Sequence, residues 1–371
     1  MTQGSAYLDW NATPPLRPEA RAAMDAALDR CGNPSSVHRA GRAAKRFLEQ
    51  ARSQLAALAG ALPEQVVFTS GGTEANALAL GGFPARRLIV SAIEHDSVLA
   101  NAPGAAHIRV SLEGVADLAS LEALLARDKG PALVSLMLAN NETGVIQPVA
   151  EAAKLAHAHG ALFHCDAIQA AGKLPLDFHV LGCDLMTLSA HKLGGPMGVG
   201  ALIIAAGIEI TPLFRGGGQE RGRRAGTENL SGIVGFGAVC TTAAAGIPHY
   251  RRVAELRDRA ETRLREIAPD AVVFGAEAPR LPNTLCIAMP GVPAATQVMA
   301  LDLAGIMVSA GSACSSGKVK RSHVLEAMGA PENLSECAIR ISLGWSTSEV
   351  EIDRLAEAWG ALYARCRASA A

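Results

Sequence analysis

Aromatic side chains are scarce in this sequence, at 4%, and it contains no C-x-x-C pair, no G-x-G-x-x-G and no Walker-type glycine-lysine loop. Without the last two signatures, dinucleotides and nucleoside triphosphates are disfavoured as ligands. The eight cysteines fall at irregular distances, which fits neither a disulfide framework nor a zinc or cluster site, so no metal is expected. Charge of one sign is also missing. With 34 basic and 35 acidic residues interspersed, the formal net charge is -1, and no long-range field draws the chain to nucleic acid or to an anionic membrane. The first residues, MTQGSAYLDWNATPP, lack a basic stretch followed by an apolar one, so no signal peptide is expected and the expected compartment is the cytoplasm. The longest uncharged run, Asn229 to Tyr250, is broken by Ser231, Thr241, Thr242, several glycines and Pro248. It reads as a buried core helix rather than a membrane span.

What the chain does have is apolar bulk, 49% over 371 residues, enough for a sizeable core and for two domains. From about Glu64 onward, short apolar runs (QVVFTS, RLIVSA, ALVSLMLAN, ALFHCDA, DLMTLSA, GALIIAA) alternate with alanine-rich helical segments such as VAEAAKLAHAHG. Several runs are apolar throughout, the pattern of parallel strands covered on both faces, and the fold class is α/β. At Tyr250 the composition turns to a strongly charged amphipathic helix, RRVAELRDRAETRLREI. The expected boundary therefore separates a large domain, 1–249, from a smaller α+β domain, 250–371, with residues of about 1–15 expected to pack on the smaller one. Ligands of open parallel sheets bind beyond the carboxyl ends of the strands, so the polar residues there are the candidates.

Three such ends stand out. In VVFTSGGTEANALAL the strand closes at Thr69-Ser70 and Gly71-Gly72-Thr73 opens a helix. This is either an ordinary strand-to-helix turn or a phosphate cradle in which small residues admit the anion and Thr73 adds a hydroxyl. In LFHCDAIQAAGK, Asp166 closes an apolar run, as a helix cap or as the partner of a buried cationic nitrogen. In DLMTLSAHKLGGP, Ser189, His191 and Lys192 follow another run; a lysine there is either solvated or, if desolvated, a Schiff-base former. A phosphate cradle, a buried carboxylate and an aldehyde-reactive lysine together fit pyridoxal phosphate.

These segments, with YLDWNATPP, NPSSVHRAGRAAKR, IEHDSVL, NNETGVIQP, GGGQERGRRAGTEN, SACSSG and IRISLGWST, resemble in order those of the cysteine desulfurases. The likeness is to their NifS/IscS-like branch, within the class V aminotransferases of fold type I. Two positions depart from that family's usual pattern: Trp10 replaces an asparagine, and Met197 a lysine. The resemblance implies that Lys192 bonds the cofactor, Asp166 pairs with its ring nitrogen, Gln169 reaches its ring hydroxyl, and His95 stacks on the ring and assists proton transfer. Gly72, Thr73, Ser189 and His191 would hold the phosphate, joined by Thr227 from a second subunit, which implies a homodimer. Asn141 would lie beside cofactor and substrate, and Arg340 would clamp the substrate carboxylate. Read by itself, Arg340 in an apolar strand needs an anion, either a structural partner or a carboxylate ligand.

The implied reaction takes L-cysteine to L-alanine and leaves its sulfur as a persulfide on Cys314. Cys314 sits in SAGSACSSGKVKRSHVL, where a small buried thiol is the ordinary expectation and a nucleophile in a glycine- and serine-rich loop is the functional one. Nearby Lys318, Lys320 and Arg321 either favour the thiolate or form a solvated face. The resemblance further implies a protein sulfur acceptor such as an iron-sulfur scaffold, with Cys314 able to hold iron-sulfur transiently. A selenocysteine lyase or an aminotransferase of the same fold is the alternative activity, and a non-catalytic sulfur or iron carrier the alternative class.

Overall fold

The structure is a computed structural model that describes residues 5–311 and 321–370. The chain opens on a short strand, β1 (Ala6–Tyr7), followed by helices Pro18–Leu28 and Arg39–Ala59. The second of these starts where the His38 ring accepts from the Gly41 amide and stops at Gly60, whose φ of 63° only glycine adopts without cost. The apolar runs then become β2 (Val66–Thr69), β3 (Arg87–Ser91), β4 (Ala106–Ile108), β5 (Ala132–Ser135), β6 (Leu162–Asp166), β7 (Leu185–Ser189) and β8 (Gly200–Ile204). They form one sheet in the order β2-β8-β7-β6-β5-β3-β4. Every pairing is parallel except the two made by β8.

Residues along β2, β5, β7 and β8 are buried at every position, which is why those runs lack the alternation of a half-exposed strand. Each buried valine, leucine, isoleucine, phenylalanine or methionine there contributes about 1.5–3 kcal/mol over its exposed form. The uncharged run forms the helix Leu230–Gly246. It is apolar enough to cross a membrane, but Ile233, Phe236, Val239 and Cys240 are buried in the main core, and the helix packs on Pro18–Leu28 and Arg39–Ala59. The core-helix expectation holds.

A second sheet, order β12-β13-β10-β9, comprises β9 (Val272–Val273), β10 (Thr284–Ala288), β12 (Ser309–Ala310) and β13 (Ala338–Ser342), all antiparallel. The remaining strand, β11 (Ile306–Met307), pairs in parallel with β1. Helices Tyr250–Ile267 and Glu349–Ala370 pack beside it around a separate core that includes Leu256, Ile287, Ile339 and Trp359. Ala6 and Leu8 belong to this core, and Trp10 stacks edge-on against Trp345 at 4.6 Å. Gly344 makes room for it, since a Cβ there would lie 2.0 Å from the Trp10 ring. The other departure, Met197, is 70% exposed.

Candidate active site

A cavity of about 700 Å³ opens at the carboxyl ends of β6 and β7 and at the start of the helix Gly72–Gly81. Gly72, Thr73, His95, Asn141, Asp166, Gln169, Ser189, His191, Lys192 and Arg340 all line it, so residues spread over most of the sequence converge on one space.

At the helix start the unpaired amides and the aligned peptide dipoles favour an anion. Gly72 packs closely, since a Cβ there would sit 2.3 Å from Ile168 Cδ1 and the isoleucine tip would have to move. Ser189 and His191 face the same cavity. Burial and the neighbouring Lys192 charge pull His191 down to about 4, which leaves a neutral ring hydrogen-bonded to Thr13 Oγ1 at 3.0 Å.

Asp166 makes a capping bond and also faces the cavity. Its Oδ1 accepts from the Ile168 amide at 3.0 Å, fixing the turn after β6, while the carboxylate lines the cavity at 4% exposure. Asn76, on the helix Gly72–Gly81, donates to Oδ2 at 2.8 Å and to Ser97 Oγ at 2.9 Å, and Ser97 bonds the His95 ring. Asp166 and His95 are thus tied through Asn76. Burial raises the Asp166 carboxyl, opposed by these hydrogen bonds and by the charges of His95 and Lys192. Among the described residues no cationic side chain forms an ion pair with Asp166.

Lys192 follows β7 in the short turn Ala190–Lys192. Its Nζ donates to the carbonyls of Asn11 at 2.7 Å and Ala12 at 2.8 Å. Burial, with Arg340 pushing the same way, lowers it to about 8, so a fraction of the amine is free near neutrality. Gln169 Nε2 donates to the same Asn11 carbonyl at 3.1 Å.

Arg340 lies in the middle of β13, opposite Cys286 and Ser309. Its Nη2 pairs with Asp9 Oδ1 at 2.8 Å and its Nη1 donates to the Asn141 carbonyl at 3.1 Å. Its Nε is buried with no hydrogen-bond partner. The structural salt bridge and the cavity-facing cation are therefore the same residue.

Among the described residues, one expected residue is not brought to the cavity. Thr227 is exposed and does not line it; the preceding turn is pinned by Glu220, buried against Arg52 with both oxygens at 2.8 Å. Cys314, with Lys318 and Lys320, lies outside the described residues. Arg321 lines the cavity but pairs with Glu332 and Glu336. Of the other cysteines, Cys165, Cys183, Cys240, Cys286 and Cys337 are buried, and burial pushes the Cys165, Cys240 and Cys286 thiols up, away from reactivity.

Sequence reasoning missed a second tier of residues. Asn11, 1% exposed, donates to the Asn141 carbonyl and Thr284 Oγ1 and accepts from Asn283, Lys173, Gln169 and Lys192. Lys173 is buried, and among the described residues its acceptors are all neutral: the Gln169 carbonyl at 2.9 Å, Gln169 Oε1 at 3.0 Å and Asn11 Oδ1 at 3.4 Å. Glu94 is fully buried, with Oε1 on the Met137 amide and Oε2 unpartnered among the described residues. Burial, with Asp166 nearby, holds its carboxyl well above the usual range. Asn11 and Lys173 stand in segments already quoted, YLDWNATPP and LFHCDAIQAAGK, and only their burial singles them out.

The family model for class-V aminotransferases matches residues 6–355. The chain belongs to the class-V aminotransferase family. As expected from the strand ends, the cofactor of this family is pyridoxal phosphate. The cavity fits it: a glycine-led helix start, a buried carboxylate lacking a cation and a partly neutral lysine suit a phosphate, a ring nitrogen and an aldehyde. Among relatives, the chain is 46% identical to a cysteine desulfurase of Cereibacter sphaeroides over 95% of its own length and 94% of that protein's. Among solved structures, it resembles a NifS-like protein from Rickettsia africae at 36% identity and a TM-score of 0.91, covering 97% of this chain and 99% of that one. It also resembles SspA in complex with cysteine, at 29% identity and a TM-score of 0.79, over 91% and 99%. A mostly parallel sheet with covering helices is the architecture these class-V structures share with this chain.

Proposed function

We propose that this class-V enzyme is a cysteine desulfurase that converts L-cysteine to L-alanine and leaves the sulfur as a persulfide on Cys314. The observation that carries the reading is the convergence of Lys192, Asp166 and Arg340 on one cavity, which suits an α-amino acid bound by both its amine and its carboxylate. Bound there, pyridoxal phosphate supplies an aldehyde that captures amines and a cationic ring that draws electrons from the adjacent carbon.

The side chains divide the remaining work. Gly72, Thr73, Ser189 and His191 would hold the phosphate, Gln169 would donate to the ring hydroxyl, and His95 would lie against the ring. Asp166 would hold a proton on the ring nitrogen by a charge-assisted hydrogen bond. Arg340 receives the substrate carboxylate beside Asn141, and the Lys192 amine, once free, takes the proton from the substrate's α-carbon. The Cys314 thiolate attacks the substrate sulfur: an S–S bond forms, the C–S bond breaks, and its electron pair stays with the carbon, which is protonated to give alanine.

In this reading the protein works as a homodimer in the cytoplasm, Thr227 completes the phosphate site of the partner subunit, and a protein acceptor such as an iron-sulfur scaffold takes the sulfur. The chain divides between residues 249 and 250 into a cofactor-binding unit and a smaller one that carries Cys314 and Arg340. Incubation with L-cysteine without reductant should yield alanine and add about 32 Da, one sulfur atom, to the Cys314 peptide. A Cys314→Ser variant should lose sulfide production; undiminished turnover would assign the chain to the aminotransferases that need no thiol.

A further inference from the structure

Nε and Nη2 form one edge of the Arg340 guanidinium, the edge that matches a carboxylate with two parallel hydrogen bonds. Asp9 engages only half of that edge, with Oδ1 on Nη2 at 2.8 Å, while Nε is buried and unpartnered. The remaining nitrogen, Nη1, is held by the Asn141 carbonyl. A ligand carboxylate reaching Arg340 side-on would therefore find one donor free and the other taken. The ion pair is well shielded, with side-chain exposures of 8% for Arg340 and 21% for Asp9, so its charge is only partly screened.

We propose that Asp9 is a specificity-determining residue, an internal carboxylate that occupies Arg340 and must surrender Nη2 when the carboxylate of an α-amino acid docks. The inference rests on the reading that Arg340 receives the substrate. Two carboxylates on one guanidinium repel, so every carboxylate ligand works against Asp9, and a ligand without a carboxylate leaves the pair intact. In return, Asp9 keeps a desolvated arginine from standing unpaired beside the cavity, which would cost more than the pair itself yields.

Asp9 is also firmly placed. Its carbonyl accepts from the Ala12 amide at 3.1 Å and from the Tyr7 hydroxyl at 3.2 Å, and the same hydroxyl donates to the Thr13 carbonyl at 2.6 Å. That turn supplies the Asn11 and Ala12 carbonyls on which Lys192 rests. One short turn thus holds both cations, Arg340 by its side chain and Lys192 by its backbone, and an α-amino acid carries the two groups that address them.

The test uses the holoenzyme titrated with L-alanine and, as the carboxylate-free control, with ethylamine, following the cofactor's visible band. Asp9→Asn keeps the side chain's shape and removes its charge. L-alanine should bind about ten-fold more tightly to it, equivalent to about 1.4 kcal/mol, while ethylamine is unchanged. Equal or weaker L-alanine binding overturns the inference. Thermal melting checks that the variant is folded; if it is not, Asp9→Ser removes the same charge and is judged by the same comparison. Arg340→Ala separates the two readings. Undiminished L-alanine binding there sinks the assignment of Arg340 and this inference with it, whereas a loss there without tightening in Asp9→Asn sinks this inference alone.

Discussion

The two walls of the cavity are built differently. Gly72, Asp166, Ser189 and Lys192 each close or follow a strand of one mostly parallel sheet, so their placement is a local consequence of where an apolar run stops. Arg340 and Asp9 meet because the segment after β1 bridges β13 at Asp9 and Ser342, joining positions 331 residues apart, and Asn141 reaches Arg340 from 199 residues away. The first wall carries groups whose ionisation is shifted by burial, and the second carries an ion pair that satisfies itself. In the proposed reading, chemistry sits on the sheet and recognition on the junction between two cores.

Removing the key group of the first wall should have the largest effect. Lys192→Ala deletes the amine proposed both to bond the aldehyde and to act as the base, and kcat for L-cysteine should fall by about 10³- to 10⁴-fold. Alanine formation in single-turnover assays checks this, and a fall of less than ten-fold would move the chemistry off this wall. Asn11 joins the walls, since it bonds Lys192 and Gln169 on one side and Thr284 and Asn141 on the other. Asn11→Ala leaves the Asn283 amide and the Lys173 ammonium each short of an acceptor. Stability should drop by about 3 kcal/mol, measured by denaturant unfolding. A neutral result would mean that the two walls are held together without it.

How much of this is legible in the sequence follows the same division. The α/β fold and the strand-end residues could be read because parallel strands buried on both faces leave unbroken apolar runs, and a polar residue ending such a run is conspicuous. Asp9, Asn11 and Asn76 could not be read this way. Each is an unremarkable polar residue in its own segment, and its role comes from partners more than 20 residues away. Arg340 was half legible: an arginine inside an apolar strand announces an anion, but the sequence left open which one, and Asp9 answers for the resting protein.

Lys173 sharpens the comparison most finely, because it is a buried cation that belongs to neither wall's chemistry. Burial, with the charges of Lys192 and Arg340 adding to it, lowers its ammonium from 10.5 to about 7. Between those two values the unfolded chain holds a proton at residue 173 that the folded chain has released, so this lysine makes stability rise with pH across that window. Below about 7 both states are protonated and its cost to the fold is fully present. Lys173→Met removes the titration, and its stability relative to the parent should decline by on the order of 2 kcal/mol between pH 7 and pH 9. Parallel unfolding curves at the two pH values measure the difference. A pH-independent offset would mean that Lys173 keeps its proton in the folded state, held by Gln169 and Asn11 strongly enough to outweigh burial.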